Sequence, residues 1–179
     1  MTLANALTAL RILLAPISVL FLFWDVPQKD LIAAAFFGLA GLTDGLDGWA
    51  ARVRKQTSQF GKSFDPFADK ILVATALISL AKLGRVPWWM VWVILSREIL
   101  VTILRQLVGK RGGRIGASAL GKAKTFSQVL GVTGIILLPS MAVPLLWVPL
   151  ILTVVSGLDY IVRWRNVLRH PAPATPLAG

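Results

Sequence analysis

Four aspartates in one short stretch, Asp44, Asp47, Asp65 and Asp69, make up half of the 8 acidic residues in a chain of net charge +11. On a helix, Asp44 and Asp47 lie three apart and Asp65 and Asp69 four apart, so each pair shares a face. Carboxylates this close repel one another unless cations neutralise them, which predicts a divalent metal site. Four hard oxygen ligands suit Mg²⁺ or Mn²⁺, not zinc or copper, and magnesium sites commonly take substrate phosphates as further ligands. Such a quartet could hold two ions on a phosphoryl group and stabilise charge on the attacking and leaving oxygens. Gly48 and Ala51 fall near the face of Asp44 and leave a smooth strip for a substrate, and Arg52 is placed to reach a phosphate oxygen. Each element alone has a plainer reading: a solvated helix end, a local Asp69–Lys70 charge pair, or small residues that serve helix packing. Their combination at these spacings favours the metal site.

A second polar set lies further along. Arg97, Glu98 and Arg105 interrupt an apolar stretch, and Lys122 and Lys124 open the next one. Adjacent helical residues do not face each other, so Arg97 and Glu98 need separate partners, while Glu98 and Arg105, seven apart, share a stripe. Glu98 is expected to hold a basic residue in place. Arg97, Arg105 and a lysine then converge as a phosphate pocket, with arginine giving bidentate recognition. The competing reading for Lys124, Arg111 and Arg114 is a set of cations snorkelling to a membrane interface. Asp159, with Tyr160 and Arg163, is expected to be an interhelical structural pair, and His170 to be inert.

The elements that carry these residues read as membrane spans. Hydrophobic residues make up 56% of the chain and charged residues 15%, with mean hydropathy +0.72. A soluble domain carries about 25% charged residues. Burying an acid in a bilayer costs about 2.5–3.5 kcal/mol on insertion scales, which marks such residues as functional. Without cysteine, neither disulfides nor thiolate metal sites are available. The first apolar run has no basic stretch before it and no small-residue cleavage site, so it is read as a retained span. Six spans are expected: 7–24, 29–52, a third from Pro66 with Asp65 as its N-cap, 86–108, and two within the uncharged run Thr125–Leu158. That run far exceeds the roughly 20 residues of one crossing, and Pro139 and Pro144 mark the break.

Arg52, Arg54, Lys55 and Lys62, then Lys110, Arg111, Arg114 and Lys122, then Arg163, Arg165 and Arg169 fall at one face, and only Lys29, Lys82 and Arg85 at the other. The positive-inside rule puts both termini, and the aspartates, on the cytoplasmic side. Anionic headgroups account for the net charge better than nucleic acid does, because the basic residues are dispersed over loops at one membrane face. Trp88, Trp89, Trp92 and Trp147 read as an aromatic belt at the other interface. The organisation is a single six-helix membrane domain over 1–168, an all-α fold, followed by a disordered tail over 169–179.

The spacing Asp44-x2-Asp47-Gly48-x2-Ala51-Arg52-x8-Gly61-x3-Asp65-x3-Asp69 resembles the signature of the CDP-alcohol phosphatidyltransferase family at every fixed position. Asn5-Ala-Leu-Thr8-Ala-Leu-Arg11, Ser96-Arg97-Glu98 through Arg105, and Gly121-Lys122-Ala-Lys124-Thr125 resemble the branch of that family that uses glycerol 3-phosphate. The resemblance implies a six-helix homodimer in the cell membrane, with its active site at the cytoplasmic face. It further implies transfer of the phosphatidyl group of CDP-diacylglycerol to glycerol 3-phosphate, giving phosphatidylglycerophosphate and CMP in phospholipid synthesis. By the same resemblance, Asp44, Asp47, Asp65 and Asp69 bind two divalent ions, and Asp69 is also the general base. Asn5, Thr8, Gly48, Ala51, Arg52 and Gly61 line the CDP-diacylglycerol site, and Arg97, Arg105, Lys122 and Lys124 take the acceptor phosphate. Alternatives within the family are cardiolipin synthesis and an inositol-phosphate acceptor. From another class, a divalent-cation transporter is disfavoured by the lack of an inverted repeat and of a midplane acidic ring.

Overall fold

The computed structural model describes residues 3–54, 59–110 and 118–169, and the side chains of 9–43, 70–109 and 118–166. Among the described residues there are six α-helices, one 3₁₀ turn and no strand. The helices are α1 (Leu3–Phe23), α2 (Lys29–Arg54), α3 (Gln59–Lys82), α4 (Trp88–Lys110), α5 (Ala119–Leu137) and α6 (Ala142–Arg169). The break expected near Pro139–Pro144 is the 3₁₀ turn Pro139–Met141, closed by the Met141 amide donating to Leu138 O at 2.9 Å. The expected tail beyond Arg169, together with Lys55, Arg111 and Arg114, lies outside the described residues.

Two helix starts differ from expectation. α3 begins at Gln59, so Asp65 is not an N-cap and Pro66 lies inside the helix. Pro16 and Pro149 likewise sit inside α1 and α6. An internal proline removes one backbone donor, and packed neighbouring helices tolerate that loss. α5 begins earlier than its apolar run suggests, because Ser118 caps it, its Oγ accepting from the Gly121 amide at 3.0 Å. Lys122 and Lys124 therefore belong to the first two turns of α5.

α1 packs along both α2 and α3, α5 joins α2 to α6, and α4 lies mainly on α6. The core is continuous through Leu22, Phe37, Leu77, Met90, Ile135 and Leu146, with small residues such as Ala33, Ala40 and Ala76 where helices come close. The α3–α4 turn shows how local chemistry fixes this packing. Gly84 takes a left-handed φ of 70°, and the amides of Gly84 and Arg85 bond back to Ala81 O and Leu80 O at 3.0 and 2.9 Å. This is a Schellman cap, and it delivers Arg85 to a fixed place. There Arg85 Nη2 donates to both carboxylate oxygens of Asp30, at 2.7 and 2.9 Å, and Nη1 donates to Ile136 O at 3.2 Å. One guanidinium thus ties the first turn of α2 to the last turn of α5.

The exterior is apolar. Leu13, Leu20, Leu42, Ile99, Ile103, Phe126, Val148 and Leu158 are among many large hydrophobic side chains left exposed on the helices. Exposed apolar areas of this extent mark contact with lipid or with another protein. One helix among the described residues, Pro139–Asn166, is long and apolar enough by itself to cross a membrane, with mean hydropathy 2.1, and Ala9–Phe23 is a shorter apolar stretch. Trp89 of α4 and Trp147 of α6 meet edge to face with centroids 5.9 Å apart, and Trp88 and Trp92 lie 6.5 Å apart. All four tryptophans are exposed, as an aromatic belt requires.

Candidate active site

The signature residues fall on two helices. Asp44, Asp47, Gly48, Ala51 and Arg52 lie on α2, and Gly61, Asp65 and Asp69 on α3, while Asn5 and Thr8 lie on α1, which packs against both. The side chains of all ten lie outside the described ones. Directly after Asp69, the ammonium of Lys70 donates to Thr102 Oγ1 on α4, and Thr102 Oγ1 donates to Glu98 O at 2.6 Å. A polar link therefore runs from the aspartate-bearing part of α3 to the turn of α4 that holds Glu98. Lys70 thus reaches another helix.

The second polar set forms around Glu98. Its side chain and that of Arg97 are each 14% exposed, and that of Lys124 is 5% exposed. Lys124 Nζ donates to Glu98 Oε1 at 2.5 Å, and Arg97 Nη1 approaches the same oxygen at 3.4 Å. Glu98 thus holds a basic residue in place, as expected, and the residue is Lys124 on α5. Burial in an ion pair also removes Lys124 from the snorkelling reading. Arg97 has the separate partner that helix geometry demands, because its Nη2 donates to Ser156 Oγ on α6 at 2.9 Å. Contrary to the simplest geometric expectation, it also meets adjacent Glu98, because a long side chain can fold back along its own helix.

Two of the four residues expected to converge are brought together: Arg97 and Lys124 share Glu98. Arg105 stands apart, exposed, with its guanidinium 5.9 Å from the centre of the Tyr160 ring on α6. Lys122 is exposed on α5. Asp159 and Arg163 pair within α6, Nε to Oδ1 at 3.0 Å, which corrects the expected interhelical pair to an i,i+4 pair on one helix.

Three features were not assigned from the sequence. Arg11 is completely buried on α1, the helix that contacts both aspartate-bearing helices, and a cation inside an apolar span was the available signal. Ser156 and its neighbours on α6 gave no signal, since small residues in an apolar run read as packing. Gln128, buried on α5, donates to Thr153 Oγ1 on α6 at 3.4 Å and continues the polar seam inward.

Among the described residues, one carboxylate, Glu98, serves two cations here, Lys124, which is buried, and Arg97, which is largely buried. Such a cluster is stabilised by an anion, and a phosphate with several oxygens matches planar guanidinium and ammonium donors together.

The family model described as CDP-alcohol phosphatidyltransferase matches residues 1–155. A Mycobacterium tuberculosis protein named "Probable phosphatidylglycerophosphate synthase" is 41% identical over 170 residues, covering 90% of this chain and 80% of the relative. A Bacillus subtilis protein named CDP-diacylglycerol–glycerol-3-phosphate 3-phosphatidyltransferase is 39% identical over 178 residues, covering 88% and 92%. A Haemophilus influenzae protein of the same name is 34% identical over 164 residues, covering 87% and 89%. With its aspartate signature borne by two helices that share a neighbour, and a family match spanning most of its length, the chain belongs to the CDP-alcohol phosphatidyltransferase family.

Proposed function

We propose that the chain transfers the phosphatidyl group of CDP-diacylglycerol to glycerol 3-phosphate, giving phosphatidylglycerophosphate and CMP in phospholipid synthesis. Membership of the family and the names of its relatives support the reaction class. The observation that carries the acceptor is the Arg97–Glu98–Lys124 cluster, in which, among the described residues, a buried lysine and a largely buried arginine share one carboxylate. A phosphorylated acceptor supplies the missing negative charge. A neutral or zwitterionic acceptor such as serine would leave the excess unbalanced.

In this reading Asp44, Asp47, Asp65 and Asp69 would hold two divalent ions. The donor set fits, since it is four carboxylates with neither sulfur nor imidazole, which suits hard ions such as Mg²⁺ or Mn²⁺. When bound, these ions polarise the pyrophosphate oxygens and ease departure of CMP. Asn5, Thr8, Gly48, Ala51, Arg52 and Gly61 line the nucleotide end of the donor site. Arg97, Arg105, Lys122 and Lys124 orient the acceptor by its phosphate. The net exchange forms a bond from the acceptor oxygen to the phosphatidyl phosphorus and breaks that phosphorus's bond to CMP. The hydroxyl proton passes to Asp69, which acts as general base.

The chain is placed in the cytoplasmic membrane with six helices spanning it, both termini cytoplasmic, the active site at that face, and a second copy as partner. The exposed apolar helix faces, the basic residues concentrated at one side and Trp88, Trp89, Trp92 and Trp147 grouped at the other support this placement. The lipid-facing surface also agrees with a donor whose acyl chains stay in the bilayer.

The test is CMP release from CDP-diacylglycerol by purified protein with Mg²⁺ or Mn²⁺, across glycerol 3-phosphate, inositol phosphate, phosphatidylglycerol and serine. Turnover with glycerol 3-phosphate alone, lost with EDTA, is expected. Asp69→Asn should lower the rate by about 10²–10⁴-fold, the usual worth of a positioned base, in protein that still elutes as folded. Turnover with a different acceptor only would keep the metal chemistry and remove the acceptor assignment. Metal-dependent ion flux without any CMP release would favour a transporter.

A further inference from the structure

Along α6, Thr153, Ser156, Gly157 and Tyr160 follow an i, i+3, i+4, i+7 spacing and so form one stripe. The stripe meets the polar residues of the neighbouring helices. Thr153 accepts from Gln128 of α5, Ser156 accepts from Arg97 of α4, and the Tyr160 ring lies beside the Arg105 guanidinium. Gly157 is the point of closest passage: a Cβ there would stand 3.1 Å from Arg97 Cγ and 3.5 Å from Arg97 Nε. The absence of a side chain lets the stem of Arg97 cross α6 and bring its Nη2 to Ser156.

Two buried polar atoms on this seam have no hydrogen-bond partner among the described residues, Arg97 Nε and the hydroxyl of Tyr160, which is itself 6% exposed. Buried donors left without partners are costly, and they are what the oxygens of an anionic ligand would satisfy. The family match ends at residue 155, so Ser156, Gly157 and Tyr160 all lie beyond it.

We propose that this stripe of α6 positions the acceptor-binding arginines, with Ser156 and Gly157 setting Arg97 and Tyr160 setting Arg105. How tightly a phosphorylated acceptor binds is thereby governed by residues outside both the aspartate signature and the matched region. The inference rests on the proposed function, in that it takes the basic cluster to be the acceptor site. Ser156, Gly157 and Tyr160 are positioning residues, acting through the arginines.

The experiment titrates glycerol 3-phosphate and CDP-diacylglycerol separately in the CMP-release assay, using full-length protein with unchanged elution and melting profiles. Ser156→Ala and Gly157→Ala should each raise the acceptor KM about tenfold, as expected for a lost hydrogen bond to a charged group, and leave the donor KM within about twofold. Ser156→Thr, which keeps the hydroxyl, should restore the wild-type value. Because both residues act through Arg97, Gly157→Ala combined with Arg97→Ala should be no worse than Arg97→Ala alone. An Arg97→Ala variant with a raised acceptor KM, beside Ser156→Ala and Gly157→Ala variants at wild-type values, would overturn the role of α6 and leave the pocket standing. Fully additive effects of Gly157→Ala and Arg97→Ala would overturn it too, by showing that the glycine acts on packing. Should Gly157→Ala fail to fold, the Ser156→Ala and Ser156→Thr pair decides the matter. Wild-type protein that ignores glycerol 3-phosphate is the separate failure of the proposed function, read before any variant, and ends this inference with it.

Discussion

Two arginines at different places in the bundle do opposite things with their hydrogen-bonding capacity. Arg85 meets one carboxylate with two short bonds and uses its other terminal nitrogen on the backbone carbonyl of Ile136. Arg97 shares its carboxylate with Lys124, holds Glu98 only at 3.4 Å, and keeps a buried Nε without a partner among the described residues. The first is a closed ion pair, with charge and geometry both satisfied by the protein. The second is open among the described residues, with two cations on one carboxylate and donor capacity to spare. A fold that can satisfy an arginine so fully at one place, and leaves another unsatisfied among the candidate site residues, separates regions that hold helices together from regions that await a ligand.

Four substitutions break or sharpen that contrast. Glu98→Gln should have the largest effect, because it removes the one carboxylate that Arg97 and Lys124 share among the described residues. Breaking a buried pair in this way costs about 3–5 kcal/mol, which for a chain of this size is a drop in Tm on the order of 10 °C. Added glycerol 3-phosphate should return part of that loss, and a thermal melt with and without it checks both statements. Arg85→Ala should cost about 2 kcal/mol in stability while both KM values stay near wild type, since a closed pair serves the fold only. A raised acceptor KM in that variant would erase the contrast. For Arg105→Ala the expected signs reverse: an acceptor KM raised about tenfold, an unchanged donor KM and a melting profile close to wild type. Smallest is Thr102→Val, which cuts the link from Lys70 to α4 and should lower kcat about threefold, as a modest loss of one hydrogen bond implies. Thr102→Ser should restore it.

Much of this was legible in the residues, for reasons that can be named. Charge-free length and paired prolines required the break after α5, and the 3₁₀ turn lies there. That Glu98 holds a basic residue was readable from its place in an apolar span, but the stripe it shares with Arg105 did not point to Lys124 on α5. The start of α3 was missed because Gln59, Lys62, Ser63 and Asp65 show no apolar period, so Pro66 after an aspartate looked like a first turn. The helix nonetheless begins at Gln59. Ser118 is a readable cap, but it precedes the uncharged run that begins at Thr125, with Lys122 and Lys124 between them. The share of α6 in the site could not be read. Ser156 and Gly157 resemble packing residues, and only the neighbouring helix reveals that an arginine crosses between them. Arg105 and Lys122 illustrate the converse limit, since residue type and spacing suggested convergence that depends on helix rotation.

The 3₁₀ turn at Pro139–Met141 has a bearing on the proposed acceptor site that its distance conceals. Lys124 precedes Pro139 by fifteen residues and Ser156 follows Met141 by fifteen, so both arms reach equally far, about 22 Å along their helices. Adding one residue to the turn would rotate α6 by about 100° and advance it by about 1.5 Å, swinging Ser156 and Gly157 off Arg97 with every side chain intact. The phase of the proposed acceptor site is thus kept by a hinge pin at the opposite end of the helical hairpin.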